Sequence, residues 1–255
     1  YYIKLYTMNI QQLLKTRYSV IKQLLFISKI NFIKTENENL KKLVNDGFVH
    51  IKGGFPKKII KEILDKNHDR IKSINVNCIN ESLKLDKTDK NKIFSCLNDL
   101  KILDICKEYL GKNLITYSNI YSLLGNKKSS EKSWQPHHDS KMNRLKIYIW
   151  ISPQNYMTHP LFYSKGSHKK IKSWIKTEQT RFPDEKSIFE KIYGDVGDII
   201  IFDTHGIHSH FKTTDVPRES FILTLESHGI FNRVNMKTKK GVEELKRLNG
   251  EIFNH

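Results

Sequence analysis

Cysteine is scarce in this chain of 255 residues: Cys78, Cys96 and Cys106 are the three present, and no CxxC spacing joins them. An odd, scattered set excludes a disulfide framework and a structural zinc site, and it predicts a reduced, cytoplasmic setting. Long apolar runs are missing too. None approaches the ~20 residues that span a bilayer, and the start shows no signal-peptide pattern with a small-residue cleavage site, so a soluble protein is expected. The first residue is Tyr rather than Met, which leaves the true start unknown. Acidic residues are absent from one stretch in particular. None occurs before Glu36, whereas Lys4, Lys15, Arg17, Lys22, Lys29 and Lys34 do. The whole chain carries a formal charge of +17, but the excess is mostly lysine spread along its length. With no zinc-finger spacing, no RNA-recognition aromatic motif and no dense arginine cluster, nucleic acid is not the expected partner. The basic surface would favour a small anionic substrate instead.

A hydrophobic content of 38% over this length suits one well-buried domain with a helical prelude. Residues 1–34 read as a basic amphipathic helical segment, ahead of a domain spanning 35–255. Ile10, Leu13, Leu14, Tyr18, Ile21, Leu24 and Leu25 recur at three- and four-residue steps. This stripe is expected to pack on the domain, with contact to a membrane surface or partner as the alternative. Further on, Asn45-Asp46-Gly47 reads as a turn, Phe48 to Ile51 as a short strand, and the residues after Pro56 as a helix. Between Ile71 and Gly111 the pattern is helical, with Phe94, Leu97, Leu100, Ile102 and Ile105 on an apolar face. After Gly111 short strands take over: Leu114 to Leu124, Leu145 to Ile151, Leu161 to Tyr163, Ile199 to Phe202 and Ser220 to Leu225. The expected class is mostly β with flanking helices, a sandwich closed at one end around a site.

The chemistry is concentrated in the stretch SWQPHHDS, residues 133–140. If His137-His138-Asp139 is extended, His137 and Asp139 project from one face and His138 from the other. With eleven histidines in the chain, one His-x-Asp match proves little alone. Downstream, GDVGDIIIFDTHGIHSHF and then TTDVPRESFILTLESH supply more. Gly197-Asp198 is a turn, Ile199 to Phe202 a buried strand, His208 lies just beyond, and the next strand carries Arg218. Two histidines and one carboxylate hold a metal from one side and leave the other open, the donor set of non-haem Fe(II) oxygenases.

These residues resemble the phytanoyl-CoA dioxygenase-like Fe(II)/2-oxoglutarate oxygenases. That family's pattern is a His-x-Asp, a Gly-Asp, a hydrophobic strand, a distal His and an Arg about ten residues on. Here these are His137-x-Asp139, Gly197-Asp198, His208 and Arg218, and the segment FDTHGIH is close to the family's phrasing. The DGF strand near Phe48 and PLFYSKGSHKK, residues 160–170, extend the resemblance from about residue 39 to at least residue 226. It implies a double-stranded β-helix, the jelly-roll core shared with cupins. It also implies His137, Asp139 and His208 as ligands of Fe(II), with O2 and 2-oxoglutarate as co-substrates. Arg218 would hold the far carboxylate of 2-oxoglutarate, a role its planar, always charged guanidinium suits. Ser220, on the same face of that strand, would add a hydrogen bond.

His210 is the main rival to His208, while His159, His168 and His205 fall behind it. Asn119, Tyr121 and Lys127 are further candidates for co-substrate contact. Relatives that halogenate carry a small residue where Asp139 stands, so the resemblance implies hydroxylation of a small molecule, releasing succinate and CO2. Two other classes stay open. One is a cupin-type metal-dependent sugar or small-molecule enzyme without 2-oxoglutarate, which Arg218 argues against. The other is a non-catalytic β-sandwich binding protein.

Overall fold

Ile199–Asp203 forms a strand buried along its whole length, and the domain is layered on its two sides. The computed structural model describes residues 10–75, 80–111, 114–124, 136–139, 143–155, 157–158, 160–171, 189–210 and 216–227. In chain order the helices are α1 (Ile10–Asn31), α2 (Glu38–Asp46), α3 (Lys57–Lys66), α4 (His68–Lys72), α5 (Lys87–Asp99) and α6 (Ile102–Leu110). The strands are β1 (Phe48–Ile51), β2 (Asn80–Lys84), β3 (Leu114–Leu124), β4 (Arg144–Trp150), β5 (Leu161–Ser164), β6 (Phe189–Ile192), β7 (Ile199–Asp203), β8 (His208–Ser209) and β9 (Arg218–Ser227). They form a six-stranded sheet in the order β1-β7-β4-β9-β3-β2 and a three-stranded sheet in the order β6-β5-β8. All the pairings are antiparallel, and the two sheets make a jelly-roll core with helices outside.

Strand alternation sorts the large sheet's side chains into two layers. Leu145, Ile147 and Ile149 of β4, Ile199 and Ile201 of β7, and Phe221, Leu223 and Leu225 of β9 join the helix-side core with Leu40, Leu43, Ile63, Leu97 and Tyr109. Tyr148 and Trp150, Ile200 and Phe202 face inward, where they pack with Phe48, Leu161, Tyr163 and Ile192 between the sheets. Other inward positions are polar, Arg218 and Ser220 among them, and these build the site.

Local signals set the element ends. Asn37 caps α2, its side-chain oxygen accepting from the N–H groups of Asn39 and Leu40 at 3.0 and 3.1 Å. Gly47 ends that helix at φ 86°, where a Cβ would meet His168 and the Tyr163 hydroxyl at 2.5 Å. The Gly197-Asp198 turn is fastened on several sides. Asp198 accepts from the Gly53 N–H (2.7 Å), the His50 ring (2.7 Å) and the Asp195 N–H (3.1 Å), so it ties β1 to the entry of β7.

Three expectations change. The helical reading from Ile71 to Gly111 is interrupted by β2, a polar edge strand whose existence depends on pairing with the long β3. Leu100 is exposed rather than part of the apolar face, and Phe94 is half-buried. A helix does cover much of the first segment, but Ile21, Leu24 and Leu25 are 53%, 46% and 48% exposed. Phe26 and Ile30, across the helix at 3.6 residues per turn, are the buried side chains. Phe26 meets the Tyr109 ring edge-on at 6.3 Å, and the Lys29 ammonium donates to the Leu110 carbonyl at the end of α6. Strand β6 was not expected at all. Among the described residues no helix is long and apolar enough to cross a membrane.

Candidate metal centre

The turn after β7 decides where His208 points. Asp203 accepts the Tyr109 hydroxyl on Oδ2 at 2.7 Å and the His205 N–H on Oδ1 at 2.8 Å, while its carbonyl takes the Tyr163 hydroxyl at 2.8 Å. Gly206 follows with no room for a side chain, because a Cβ would overlap the Tyr163 hydroxyl. Ile207 donates to Ser167 Oγ at 2.7 Å, and its carbonyl accepts from Ser164 N–H at 2.9 Å. His208 leaves this turn and pairs with His137 through two backbone hydrogen bonds of 2.9 and 2.8 Å.

That bridge sets the two imidazole centroids 4.5 Å apart. Asp139 N–H donates to the Thr204 carbonyl at 2.8 Å, which keeps the stretch extended and turns Asp139 to the same face as His137. The donor atoms of His137, Asp139 and His208 all lie within 4.8 Å of one another, and all three residues are buried. His208 Nδ1 donates to the Gly206 carbonyl at 2.9 Å, which leaves Nε2 with its lone pair directed into the group. Burial, with His137 nearby, pushes the His208 pKa down to about 3, so the ring is neutral at pH 7 as a ligand must be. Burial alone would raise the Asp139 carboxyl; the Lys146 ammonium, then His208, outweighs it and holds Asp139 well below the usual carboxylate range.

Other histidines among the described residues are engaged elsewhere. His138 turns to the opposite face, its Nδ1 3.1 Å from the Asp139 carbonyl and its ring against His205 at 5.6 Å. His168 donates from Nε2 to the Val44 carbonyl at 3.0 Å and is structural. His159 and Lys127 lie outside the described residues, as does Cys78. His210 is turned toward Arg218, whose Nη1 donates to its Nδ1 at 3.0 Å, and it stacks on Tyr148 at 6.0 Å. Burial, followed by Arg218, lowers the His210 pKa well below its ordinary value.

Arg218 is 2% exposed and crosses the Tyr148 ring at 5.5 Å. Burial lowers its pKa to about 10, which still leaves the guanidinium charged at pH 7. Ser220, two residues on and opposite Trp150, has a buried hydroxyl with no hydrogen-bond partner among the described residues. A buried cation and an orphaned hydroxyl on one strand face are what a carboxylate ligand would satisfy. Tyr121 does not join them: it belongs to the helix-side core and its hydroxyl donates to Glu219.

Two cations missed as part of the metal group line its other side. Lys146 Nζ lies 3.0 Å and Arg144 Nη1 3.7 Å from Asp139 Oδ2. Arg144 also holds Glu226, its Nε donating at 2.6 Å. The available signal was alternation: in β4 the inward Tyr148 and Trp150 share their face with Arg144 and Lys146, so charges point into the roll.

No family model matches the chain, and no curated protein matches it in sequence. Solved structures do. The epimerase SnoN, in complex with Fe3+, alpha ketoglutarate and nogalamycin RO, aligns over 74% of this chain and 82% of its own at a TM-score of 0.57 and 16% identity. HygX from Streptomyces hygroscopicus, with nickel and 2-oxoglutarate bound, aligns over 76% and 88% at 0.56 and 14%. EctD from S. alaskensis, with 2-oxoglutarate and 5-hydroxyectoine, aligns over 78% and 80% at 0.56 and 15%. At such identities the likeness is one of fold: the chain shares its jelly roll with these solved structures.

Proposed function

We propose that this chain is an Fe(II)- and 2-oxoglutarate-dependent dioxygenase that hydroxylates a small molecule. The observation that carries the reading is the convergence of two imidazoles and one carboxylate inside a jelly roll whose interior also holds Arg218 and Ser220. This donor set fits Fe(II): three protein atoms supply one negative charge and leave the remaining positions open. His137, Asp139 and His208 would hold the iron, which with O2 and 2-oxoglutarate would supply the oxidising power, giving succinate and CO2 as co-products.

The chain's own part is to bind and orient. Arg218 would take the far carboxylate of 2-oxoglutarate through two parallel N–H groups, with Ser220 donating a third hydrogen bond. His210 holds one edge of that guanidinium and Tyr148 lies across its face, so its direction is set before the co-substrate arrives. Phe202 and Tyr148 wall the site with apolar surface, which excludes water from reactive species. Asp139 in the carboxylate position supports hydroxylation over halogenation. A small substrate, its anionic character suggested by the +17 charge, and a cytoplasmic location belong to the same proposal.

Calorimetry with Mn(II) or Ni(II) as a stand-in, followed by succinate assays, tests the reading. Wild type should bind about one equivalent, and His137→Ala and His208→Ala should each abolish binding. If His210→Ala loses the metal while His208→Ala keeps it, the distal assignment is wrong. Normal metal binding with no 2-oxoglutarate binding would favour the cupin-type enzyme. No metal binding at all would leave the non-catalytic sandwich.

A further inference from the structure

We infer that Lys146 is a positioning residue that restricts Asp139 to giving a metal one oxygen instead of two, an inference that rests on the metal centre proposed above. The two carboxylate oxygens have separate surroundings. Oδ1 faces His208 Nε2 at 3.9 Å, toward the ligand group, whereas Oδ2 receives the Lys146 ammonium at 3.0 Å. Arg144 stands behind at 3.7 Å from Oδ2, beyond hydrogen-bond reach, and its guanidinium is committed to Glu226. Among the described residues, Lys146 is therefore the group that occupies Oδ2.

Its position is fixed by the fold. Lys146 sits in the middle of the large sheet, paired with Phe202 of β7 on one side and Thr224 of β9 on the other. The ammonium is thus delivered by a central strand, and the pair lies in a partly buried setting where such contacts are screened less than at a surface. A carboxylate can bind a metal through one oxygen or both. With Oδ2 held, Asp139 contributes one atom, and the open side keeps room for a two-point chelator plus one further ligand. Without Lys146, Oδ2 is free to turn onto the metal and fill one of those positions. The Lys146 charge also repels a divalent cation, so removing it should not weaken the metal.

The test counts open positions directly. Protein-bound Mn(II) is examined in ¹⁷O-enriched water by electron paramagnetic resonance, whose line broadening reports the number of metal-bound waters. Lys146→Met should carry one water fewer than wild type, bind Mn(II) as tightly or more tightly, and bind 2-oxoglutarate about tenfold or more weakly. Lys146→Arg should keep the wild-type water count. Should Lys146→Met fail to fold, Lys146→Gln, whose amide is one bond short of Oδ2, is expected to show the same loss of one water. An unchanged water count in the variant that folds overturns the inference, as does a Mn(II) affinity that falls along with 2-oxoglutarate affinity, the mark of a merely structural lysine. Failure of the metal centre itself would look different, because wild type would then bind no Mn(II) or His137→Ala would bind it normally.

Discussion

Replacing Arg218 by Ala removes a charged side chain that is 2% exposed, so water cannot take over its role without opening the core. Its neighbours include the neutral His210 ring, which accepts from Nη1 at 3.0 Å, and the Tyr148 ring face at 5.5 Å. Truncating one partner of a buried, hydrogen-bonded charge pair costs about 2 to 5 kcal/mol, which at about 1.4 kcal/mol per tenfold means a dissociation constant raised ~30-fold to several thousand-fold. The variant also leaves His210 Nδ1 without that donor, at about 1 to 3 kcal/mol of fold stability, so the melting temperature must be checked alongside. Arg218→Lys keeps the charge but not the two-pronged geometry, and should recover part of the loss. The assay is anaerobic titration of the Fe(II) protein with 2-oxoglutarate, following the weak charge-transfer absorption that chelation produces. Unaltered 2-oxoglutarate affinity in Arg218→Ala, with Fe(II) still bound, would refute the anchor. Lys146, committed to Asp139, would be the next cation to test.

Gly206→Ala should force the turn before His208 open, because its Cβ overlaps the Tyr163 hydroxyl that braces Asp203; calorimetry should show Mn(II) affinity down about tenfold or more, with overpacking costing roughly 1 to 3 kcal/mol of stability. Asp198→Asn should cost about 1 to 3 kcal/mol at pH 7 by chemical denaturation. Burial would raise this carboxyl, but the Gly53 N–H, the His50 ring and the Asp195 N–H bring its pKa below the ordinary value. Its stabilisation is therefore complete above the ordinary carboxylate range and lost as the pH falls through the depressed folded value. The gap between variant and wild type should close over that acid window, and a gap that persists there would show that the charge is not its source. Deleting residues 1–34 should lower the melting temperature by several degrees, since burying Phe26 and Ile30 is worth roughly 1.5 to 3 kcal/mol each before entropy. Unchanged melting, with vesicle co-sedimentation that needs this segment, would point to a lipid contact.

What the sequence determined by itself was local. Alternation within His137-His138-Asp139 is a property of any extended chain, so the two candidate ligands share a face before any tertiary contact is considered. The run Ile199 to Phe202 is apolar throughout and reads as a strand covered on both sides, and Gly197-Asp198 announces the turn that feeds it. Arg218 and Ser220 share a strand face for the same reason. Tertiary structure decided what depends on partners remote in the chain. The polar β2 is a strand because β3 is long enough to pair with it, a fact that its own five residues do not encode. In α1 several apolar residues are candidates for the packed face, and the position of Tyr109 selects Phe26 and Ile30 over Ile21, Leu24 and Leu25. His208 and His210 are equivalent by strand alternation, both lying on one face; the bridge to His137 places the first in the candidate ligand group, and Arg218 takes the second. Lys146 reaches Asp139 only because β4 lies beside β7, whose following turn carries the backbone bond to Asp139, a register set by the whole sheet.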